Sequence, residues 1–412
     1  MSSTPPPHQK PPSKNSTLPL HSMTLLERIR ALDKSSELAH QYTALVLFDP
    51  RQSTSGDSQS IAEISSSHVA VGHVEKSFIQ STLIHCKNDN GEPIFILDEL
   101  KNKYGKMNQV LRLHSDVQFE NQFQLQMQQS QECAQYNGEE IHYKLFQKRT
   151  EEFEHATNHM LSSGTISHKH SDMYPVSAFV DSSTSSNANN DKKNDVLALV
   201  NRSTSPYLGI DSVGVHLHCY VCRPEQKSLH KKLNSVINNQ IEGVWLAKRA
   251  STKSHHPNYW DPTVAGGQPA ALSLHENIIK EAHEEAGVPS EWLSKDTPSS
   301  DIIFSDHTKD FLTITTSKPD GTCMKRSLYY SFDLQVPHDW SPTPVDGEVS
   351  AFKLYSMREL EEELLNGDSL RPAMRAVLLD FMMRHGALST ITETDSLTEL
   401  RDAMRRERLE LW

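Results

Sequence analysis

Three carboxylates within a short stretch of one predicted helix are the residues best placed to do chemistry. They lie in KEAHEEAGV (280–288) and are Glu281, Glu284 and Glu285. At about 100° per residue they share one broad face of the helix, where like charges repel. Lys280 supplies one cation against three acids. Because Mg²⁺ favours carboxylate oxygens and commonly bridges to phosphates, the stretch indicates either a solvated acidic face or half of a metal site.

A double glycine precedes this helix in VAGGQPA (264–270). Gly266 and Gly267 allow the backbone to turn sharply and to approach an ion or a ligand closely, because glycine has no Cβ. Acidic helices are mostly solvated and glycine pairs mostly form turns, so neither feature is specific alone. The fixed distance between the two features is what makes them informative together.

Local signals define the helix that positions the glutamates. Ser273 is a favourable N-cap, and Glu276 three residues later completes a capping box. Gly287 suits the left-handed position after the last turn, and Pro289 prevents the helix from continuing. An apolar stripe that can lie against a sheet consists of Ile278, Ile279, Ala282 and Ala286.

The spacing of the glycines and glutamates resembles the Nudix box. Its pattern is Gly, five residues, Glu, seven residues, and then Arg-Glu-apolar-any-Glu-Glu-any-Gly-apolar. Gly266 fits the first position, and residues 280–288 fit the last nine with Lys280 in place of arginine. Leu272 stands where the pattern has its first glutamate, a departure at the position that matters less than the later three. The resemblance implies an α/β fold, a Nudix-type α/β/α sandwich with a mixed sheet, preceded by a smaller α+β domain.

The resemblance also implies metal-dependent hydrolysis of a diphosphate bond and assigns roles to residues. Glu281, Glu284 and Glu285 would hold Mg²⁺ (or Mn²⁺), helped by a backbone carbonyl near Gly266. The metal would neutralise the diphosphate, polarise a phosphoryl oxygen and acidify the attacking water. Glu281 could double as the catalytic base. The other candidate base is Glu348, in an Asp-Gly-Glu loop where a single acid is more often an ordinary loop residue.

Residues around the box receive supporting or binding roles. Gly267, Lys280 and Gly287 are expected to support its structure. Lys248 and Arg249 end the strand before the double glycine and could hold the terminal phosphate, although cations at a strand end usually face solvent.

Two histidines and an aspartate nearby are open to a structural interpretation. His216 and His218 share one face of a predicted strand, which allows a two-ligand metal site, but a structural role is the stronger interpretation. Asp261, just before the double glycine, is interpreted as a turn residue that shapes the loop.

Further segments resemble one branch of the Nudix superfamily, the proteins related to the hydrolase part of certain thiamine pyrophosphokinases. The segments are HHPNYWDPTVAGG (255–267), LGIDSVGVHLHCYV (208–221), DGEVSAFKL (346–354) and LRPAMRAVLLDFMMRHG (370–386), with LLERIRAL, VAVGHV and DMYPVSAF nearer the N-terminus. Members of this branch hydrolyse thiamine diphosphate, and especially its oxidised or damaged forms, to the monophosphate. No Gly-rich Lys-Ser/Thr phosphate loop appears in the sequence, so kinase activity is not expected.

Alternative functions stay open. A Nudix hydrolase acting on a nucleoside diphosphate derivative such as ADP-ribose would carry the same box. A non-catalytic Nudix-like ligand sensor would share the fold, although such proteins usually lose the glutamates kept here. An isomerase of prenyl diphosphates would need a catalytic cysteine that the expected motifs do not supply.

Composition narrows the partners and the compartment. A formal net charge of −12 argues against nucleic-acid binding, which needs a basic patch. No apolar run approaches a membrane span, and five scattered cysteines favour a reducing compartment. We therefore expect a cytoplasmic protein acting on a small-molecule diphosphate, with mitochondrial targeting as a weak alternative. Oligomeric state is not readable from the sequence.

The chain is predicted to divide at its composition breaks. The Gln-rich stretch 117–135 is interpreted as a low-complexity insertion, and DSSTSSNANNDKKND (181–195) has too little apolar surface to fold alone. The predicted segments are a disordered tail (1–21), an α+β domain (22–180), a linker or loop (181–207), a Nudix domain (208–390) and a C-terminal helix (391–412).

Overall fold

The computed structural model describes residues 24–31, 39–49, 68–101, 106–129, 138–177, 196–223, 241–294, 302–308, 312–317, 324–389 and 394–404. The predicted disordered tail (1–21) and most of the predicted linker (181–195) lie outside these ranges. None of the helices in these ranges is long and apolar enough to cross a membrane.

An N-terminal α+β unit is built on a four-stranded sheet with the order β2-β1-β4-β3. Strands β1 and β4 are parallel, and the outer pairs are antiparallel. A separate antiparallel pair, β5 and β6, follows. The elements are β1 (Tyr42–Phe48), β2 (His68–Glu75), α2 (Lys76–Ser81), β3 (Phe95–Lys101), β4 (Met107–Leu113), α3 (His114–Gln129), α4 (Gly138–Ser162), β5 (Met173–Ser177) and β6 (Val196–Asn201).

The Gln-rich stretch predicted as a low-complexity insertion is helical over its described part, residues 117–129, in α3. The start of α3 is fixed by buried Asp116. Its carboxylate accepts hydrogen bonds from Arg149 Nε at 2.7 Å and from the backbone N–H of Phe48 at 2.8 Å. An anchored first turn lets a polar sequence extend as a helix, which composition alone does not predict.

Residues 196–207, predicted as the end of a linker, are instead part of the N-terminal unit. Strand β6 pairs with β5. Leu197, Ala198 and Val200 are buried in the same apolar cluster as Tyr174 and Val176 of β5. The prediction was wrong here because the partner that makes β6 a strand lies on the other side of the polar stretch.

A C-terminal unit contains a mixed sheet of eight described strands with the path β11-β13-β7-β8-β14. Strands β9, β10 and β12 pair with β8, β7 and β13. The pair β7–β13 is parallel, and the other pairs are antiparallel. Its elements are β7 (Ser212–Cys222), β8 (Ile241–Arg249), β9 (Trp260–Pro262), β10 (Val264–Gly267), α5 (Leu274–Ala286), β11 (Ile303–Asp306), β12 (Leu312–Ser317), β13 (Met324–Gln335), β14 (Val349–Ser356), α6 (Met357–Asn366), α7 (Met374–Arg384) and α8 (Thr394–Met404).

Helices cover both faces of this sheet, because alternate residues of its strands point to opposite sides. Val215 and Leu217 of β7 pack with Ile278 and Ala282 of α5 in one apolar cluster. Tyr220 of the same strand packs in another, with α6 and α7. The result is the α/β/α sandwich with a mixed sheet that the sequence predicts.

Helix α1 (Leu25–Arg30) packs on the C-terminal unit, although the sequence assigns it to the domain 22–180. Leu25 and Ile29 are buried in the cluster that contains α6 and α7. Arg28 donates to the carbonyls of Leu364 at 2.8 Å and Gly367 at 3.0 Å. The boundary is wrong because the apolar stripe of α1 does not reveal which surface it covers.

Candidate active site

The predicted glycine and glutamate positions meet where β10 lies beside α5. Strand β10 pairs with β7 through Gly266 opposite Val215. A Cβ on Gly266 would stand 2.5 Å from Cγ and 2.6 Å from Cδ of Glu281, closer than real Cβ atoms approach another carbon. Gly266 therefore lets the carboxyl group of Glu281 lie directly against the strand.

Helix α5 has the ends that the sequence predicts. Ser273 and Glu276 form the capping box, and Gly287 takes the left-handed conformation with φ 65°. Asn277, which the sequence interpretation did not single out, is fully buried and donates from Nδ2 to the carbonyl of Gly267 at 3.0 Å. A polar residue beside the apolar stripe of the helix was the available signal. The cap and this bond fix the helix relative to the double glycine.

Glu285 is buried and bonded to the same strand. Its Oε2 accepts a hydrogen bond of 2.9 Å from the backbone N–H of Ala265. Burial, opposed by the Ala265 N–H and helped by the charges of Glu281 and Glu348, raises the pKa of Glu285 to about 8. A second carboxyl group thus faces β10 in a setting that disfavours its charge without a cation.

Glu281 is also mostly buried and has a raised pKa, whereas Glu284 lies at the surface. Burial raises the pKa of Glu281, with the charge of Lys280 opposing the shift. Glu284 points to Lys280, whose Nζ lies 2.7 Å from its Oε2, and both side chains are 46% exposed. Two of the three predicted metal ligands therefore converge on β10, and the third is in a surface ion pair.

The donor set fits a hard divalent cation at this place. Among the described residues, no three acidic, histidine or cysteine side chains already form a metal-coordinating group. The fit rests on the close approach of Glu281 to Gly266 and on the buried carboxyl of Glu285 beside it. An exposed ion pair such as Lys280–Glu284 contributes only about 0–1 kcal/mol, so a cation can draw Glu284 away from Lys280.

Glu348 lies within electrostatic range of Glu281 and Glu285. Its charge acts on both Glu281 and Glu285, which places it near them, and its carboxylate pairs with Lys253. The Glu348 side chain is 51% exposed. The structure therefore brings the second candidate base to the cluster, about half open to solvent.

Lys248 and Arg249, the two cations predicted to hold phosphate, differ in how fully other groups already bind them. Arg249 donates to Asp261 Oδ2 at 2.9 Å and to the carbonyls of His255 and His256. Its guanidinium is thus committed to the loop before β9, which argues against the predicted phosphate contact. Lys248 has its Nζ 5.8 Å from the ring centre of Trp260, and its phosphate role stays a prediction.

Asp261 is a buried strand residue, so its interpretation as a turn residue was wrong. It lies in β9 with 3% exposure. Its two carboxylate oxygens accept from Arg249 and from Arg371 Nε, the latter at 2.6 Å. The aspartate therefore ties the end of β8 to the segment before α7, beneath the double-glycine strand.

His218 has a structural partner, as the sequence interpretation favours. His218 Nδ1 lies 3.0 Å from Asp333 Oδ1, and both side chains are buried. Arg384 forms an ion pair with the same carboxylate, and His385 Nε2 and His307 Nε2 lie 2.8 Å and 3.1 Å from Oδ2. This Asp333 cluster joins β7, β13 and α7, and sequence spacing gave no signal for it.

Replacing Gly266 by alanine is expected to lower activity about 10–100-fold, the range seen when groups that orient metal ligands are changed. The added Cβ must displace the carboxyl group of Glu281 or separate α5 from β10. Steady-state hydrolysis by purified protein measures the effect. Equal activity of Gly266→Ala and wild type would contradict the close approach.

Comparisons with known proteins find a matching family model and similar relatives. A family model for the NUDIX domain matches residues 230–377. Nudix hydrolase 24, chloroplastic, of Arabidopsis thaliana is 29% identical over 189 residues, 46% of this chain and 44% of the relative. Nudix hydrolase 20, chloroplastic, of the same plant is 31% identical over 185 residues, 45% of this chain and 42% of the relative. The match thus spans less than half the length of these curated relatives.

Solved structures are similar over part of the chain. A Deinococcus radiodurans protein crystal structure has 17% sequence identity and a TM-score of 0.30, over 46% of this chain and 94% of that one. The strand β10, helix α5 and the glutamates described above all fall within the residues that the family model matches. The C-terminal unit of this chain is therefore similar to Nudix domains over residues 230–377.

Proposed function

We propose that this protein is a metal-dependent hydrolase of diphosphate bonds. The observation that carries the proposal is the approach of Glu281 to Gly266, with buried Glu285 bonded to Ala265 beside it. Two carboxyl groups whose pKa values are raised by burial are costly to ionise unless a cation neutralises them. A Nudix domain with this donor set supports diphosphate hydrolysis as the reaction.

The proposed ligands of Mg²⁺ (or Mn²⁺) are Glu281, Glu284, Glu285 and the carbonyl of Gly266. When bound, the metal supplies charge neutralisation of the diphosphate and a more acidic attacking water. Gly266 and Ala265 hold the carboxyl groups of Glu281 and Glu285 on one strand, which fixes their positions before substrate arrives.

The proposed reaction is a direct displacement at phosphorus. The water oxygen forms the new bond to phosphorus, the bridging P–O bond breaks, and the bridging oxygen leaves with the other phosphate. Glu281 or Glu348 accepts the proton of the water. Glu348 is half exposed and bonded to Lys253, so it can exchange that proton with solvent.

We propose thiamine diphosphate, particularly its oxidised or damaged forms, as the substrate, with the monophosphate as product. Support comes from segments outside the box that resemble the thiamine-related branch, including residues 255–267 and 346–354. The box fits any diphosphate, so a nucleoside diphosphate derivative such as ADP-ribose is the alternative substrate. A small-molecule diphosphate is the proposed partner in either case.

A substrate panel tests this proposal. With Mg²⁺ present, oxidised and intact thiamine diphosphate are compared with ADP-ribose and nucleoside diphosphates by phosphate or product release. We expect a kcat/KM for a thiamine compound at least about tenfold above the others, a difference of about 1.4 kcal/mol. A preference for a nucleotide would overturn the thiamine assignment alone. Absence of Mg²⁺-dependent hydrolysis across the panel would favour a ligand sensor and overturn the enzyme assignment.

A cytoplasmic location is also proposed. Cys86, Cys219 and Cys222 are free thiols in the described part of the chain, which agrees with a reducing compartment. Imaging of the full chain with a C-terminal fluorescent tag tests the location, and a mitochondrial or plastid signal would contradict it.

A further inference from the structure

The β5–β6 pair of the N-terminal unit reaches the double-glycine strand of the C-terminal unit. The carbonyl of Met173 accepts a hydrogen bond of 3.0 Å from the backbone N–H of Ala270. The hydroxyl of Tyr174 lies 2.8 Å from the point where a Cβ on Gly267 would stand. Tyr174 is 7% exposed, so its ring is held by packing. The second glycine of the pair therefore leaves room for a residue of the other unit.

Arg202, which directly follows β6, also lies beside Gly267. Its Cζ lies 3.9 Å from the Cβ position of Gly267 and 5.8 Å from the ring centre of Tyr174. The charge of Glu281 also acts on the Tyr174 hydroxyl, whose pKa is raised chiefly by burial. A cation and a hydroxyl group from the N-terminal unit thus stand beside Gly267, the strand residue next to the glycine that Glu281 contacts.

Arg202 can exchange its partner Asp172 for a phosphate group without disturbing the site. Arg202 Nη1 lies 3.1 Å from Asp172 Oδ2, and the two side chains are 42% and 40% exposed. A pair this exposed contributes only about 0–1 kcal/mol. Arginine binds phosphate through two parallel hydrogen bonds, which are charge-assisted and stronger.

Apart from Lys248, which lies over the ring of Trp260, four other cations beside the candidate site are tied to groups that the reaction needs or that hold the loop. Lys280 pairs with the proposed ligand Glu284, and Lys253 pairs with the candidate base Glu348. Arg249 and Arg371 share buried Asp261. Asp172, the partner of Arg202, belongs to neither group. Compared with these four described cations, Arg202 can bind a phosphate with the least disturbance of the site.

We propose that Arg202, together with the hydroxyl of Tyr174, binds a phosphate group of the diphosphate substrate, so that the N-terminal unit completes the active site. This inference rests on the proposed function. The guanidinium donates hydrogen bonds to non-bridging phosphate oxygens in place of Asp172, and no proton is transferred. Arg202 acts in binding and lies outside the group of proton-accepting residues.

Steady-state kinetics on the best substrate of the panel test this role. Arg202→Gln is expected to raise KM about 10–100-fold, the effect of losing hydrogen bonds to a charged group, with little change in kcat. Tyr174→Phe is expected to raise KM about 3–10-fold, because one neutral hydrogen bond is lost. Arg202→Lys is expected to restore part of the affinity, since it keeps the charge without the bidentate geometry.

Two control variants separate phosphate binding from a structural role. Asp172→Asn breaks the same ion pair but keeps the cation, so KM should stay the same or fall. Arg30→Gln removes an arginine from another exposed pair, with Glu399 at 3.8 Å, and should leave KM unchanged. An equal rise of KM in Asp172→Asn and Arg202→Gln would overturn the proposal, because the pair would then serve only to hold the β5–β6 strands.

Calorimetric titration with inorganic pyrophosphate and Mg²⁺ separates this inference from the proposed function. Binding by the wild-type protein that weakens about tenfold or more in Arg202→Gln, and not in Arg30→Gln, supports the inference even if no panel compound is hydrolysed. Hydrolysis with an unchanged KM in Arg202→Gln overturns the inference and leaves the enzyme assignment intact. A wild-type protein that neither binds pyrophosphate nor hydrolyses the panel overturns both.

Discussion

Replacing Glu281 by glutamine is expected to lower kcat by about 10²–10⁴-fold, the range for losing a positioned proton acceptor. The amide keeps the size of the side chain, so it fits against Gly266. It can neither accept the proton of the attacking water nor balance the charge of a divalent cation. The rate of Mg²⁺-dependent hydrolysis by purified protein measures the loss.

A control substitution at a nearby acid and a measurement of Tm make this test specific for the metal site. Glu291→Gln changes an exposed acid shortly after the same helix and should leave the rate unchanged. Glu285→Gln should abolish activity yet raise the metal-free Tm, because it removes a buried carboxyl group whose pKa is raised to about 8 by burial. Each kcal/mol gained corresponds to roughly 2–4 °C in a domain of this size. Full activity of both Glu281→Gln and Glu285→Gln would refute the metal assignment.

Replacing Asp333 by asparagine is expected to lower the free energy of unfolding by about 3–5 kcal/mol, the cost of removing one partner of a buried ion pair. Among the described residues, Arg384 would keep only Asp380 as a carboxylate partner, and His218 would lose the group that orients its ring. Thermal or urea unfolding measures the change, and Tm should fall by roughly 6–20 °C. Asp339→Asn, on the exposed loop after β13, is the control and should change stability little.

The pH dependence of this loss has a defined sign. Burial alone would raise the pKa of Asp333, but hydrogen bonds from His218 and His385, the nearby His307 ring and the charge of Arg384 hold it well below its ordinary value. A depressed folded-state pKa gives stability that is present above the unfolded pKa and is lost as pH falls through the folded one. The difference between wild type and Asp333→Asn should therefore shrink in strong acid. A difference that grows on acidification would contradict the assigned charge state.

The sequence predicted those parts of the fold and site that depend on local chemistry. Helix α5, with Ser273, Glu276 and Gly287 at its ends, follows from interactions within a few residues. The approach of Gly266 to Glu281 was predictable in kind, because the missing Cβ and the fixed spacing both belong to one short segment.

Contacts between distant segments were not predictable in this way. Arg249 reads as a free cation at a strand end, and only the folded chain shows that Asp261 and two carbonyls occupy it. Residues 196–201 form a strand because β5 lies across a polar stretch of chain. The place of Tyr174 and Arg202 beside Gly267 depends on how two units meet, which no local pattern encodes.

Helix α1 is made first but can pack on the C-terminal unit only after most of the chain has been made. Arg28 bonds to the carbonyl of Leu364, 336 residues further along the chain. At about 5–20 residues per second, a ribosome needs roughly 20–70 s to make that distance. The apolar side chains of Leu25 and Ile29 have no native surface to cover until then. We therefore expect the N-terminal unit to fold first on the ribosome. Until the C-terminal unit is made, the uncovered apolar side chains of α1 can bind a chaperone.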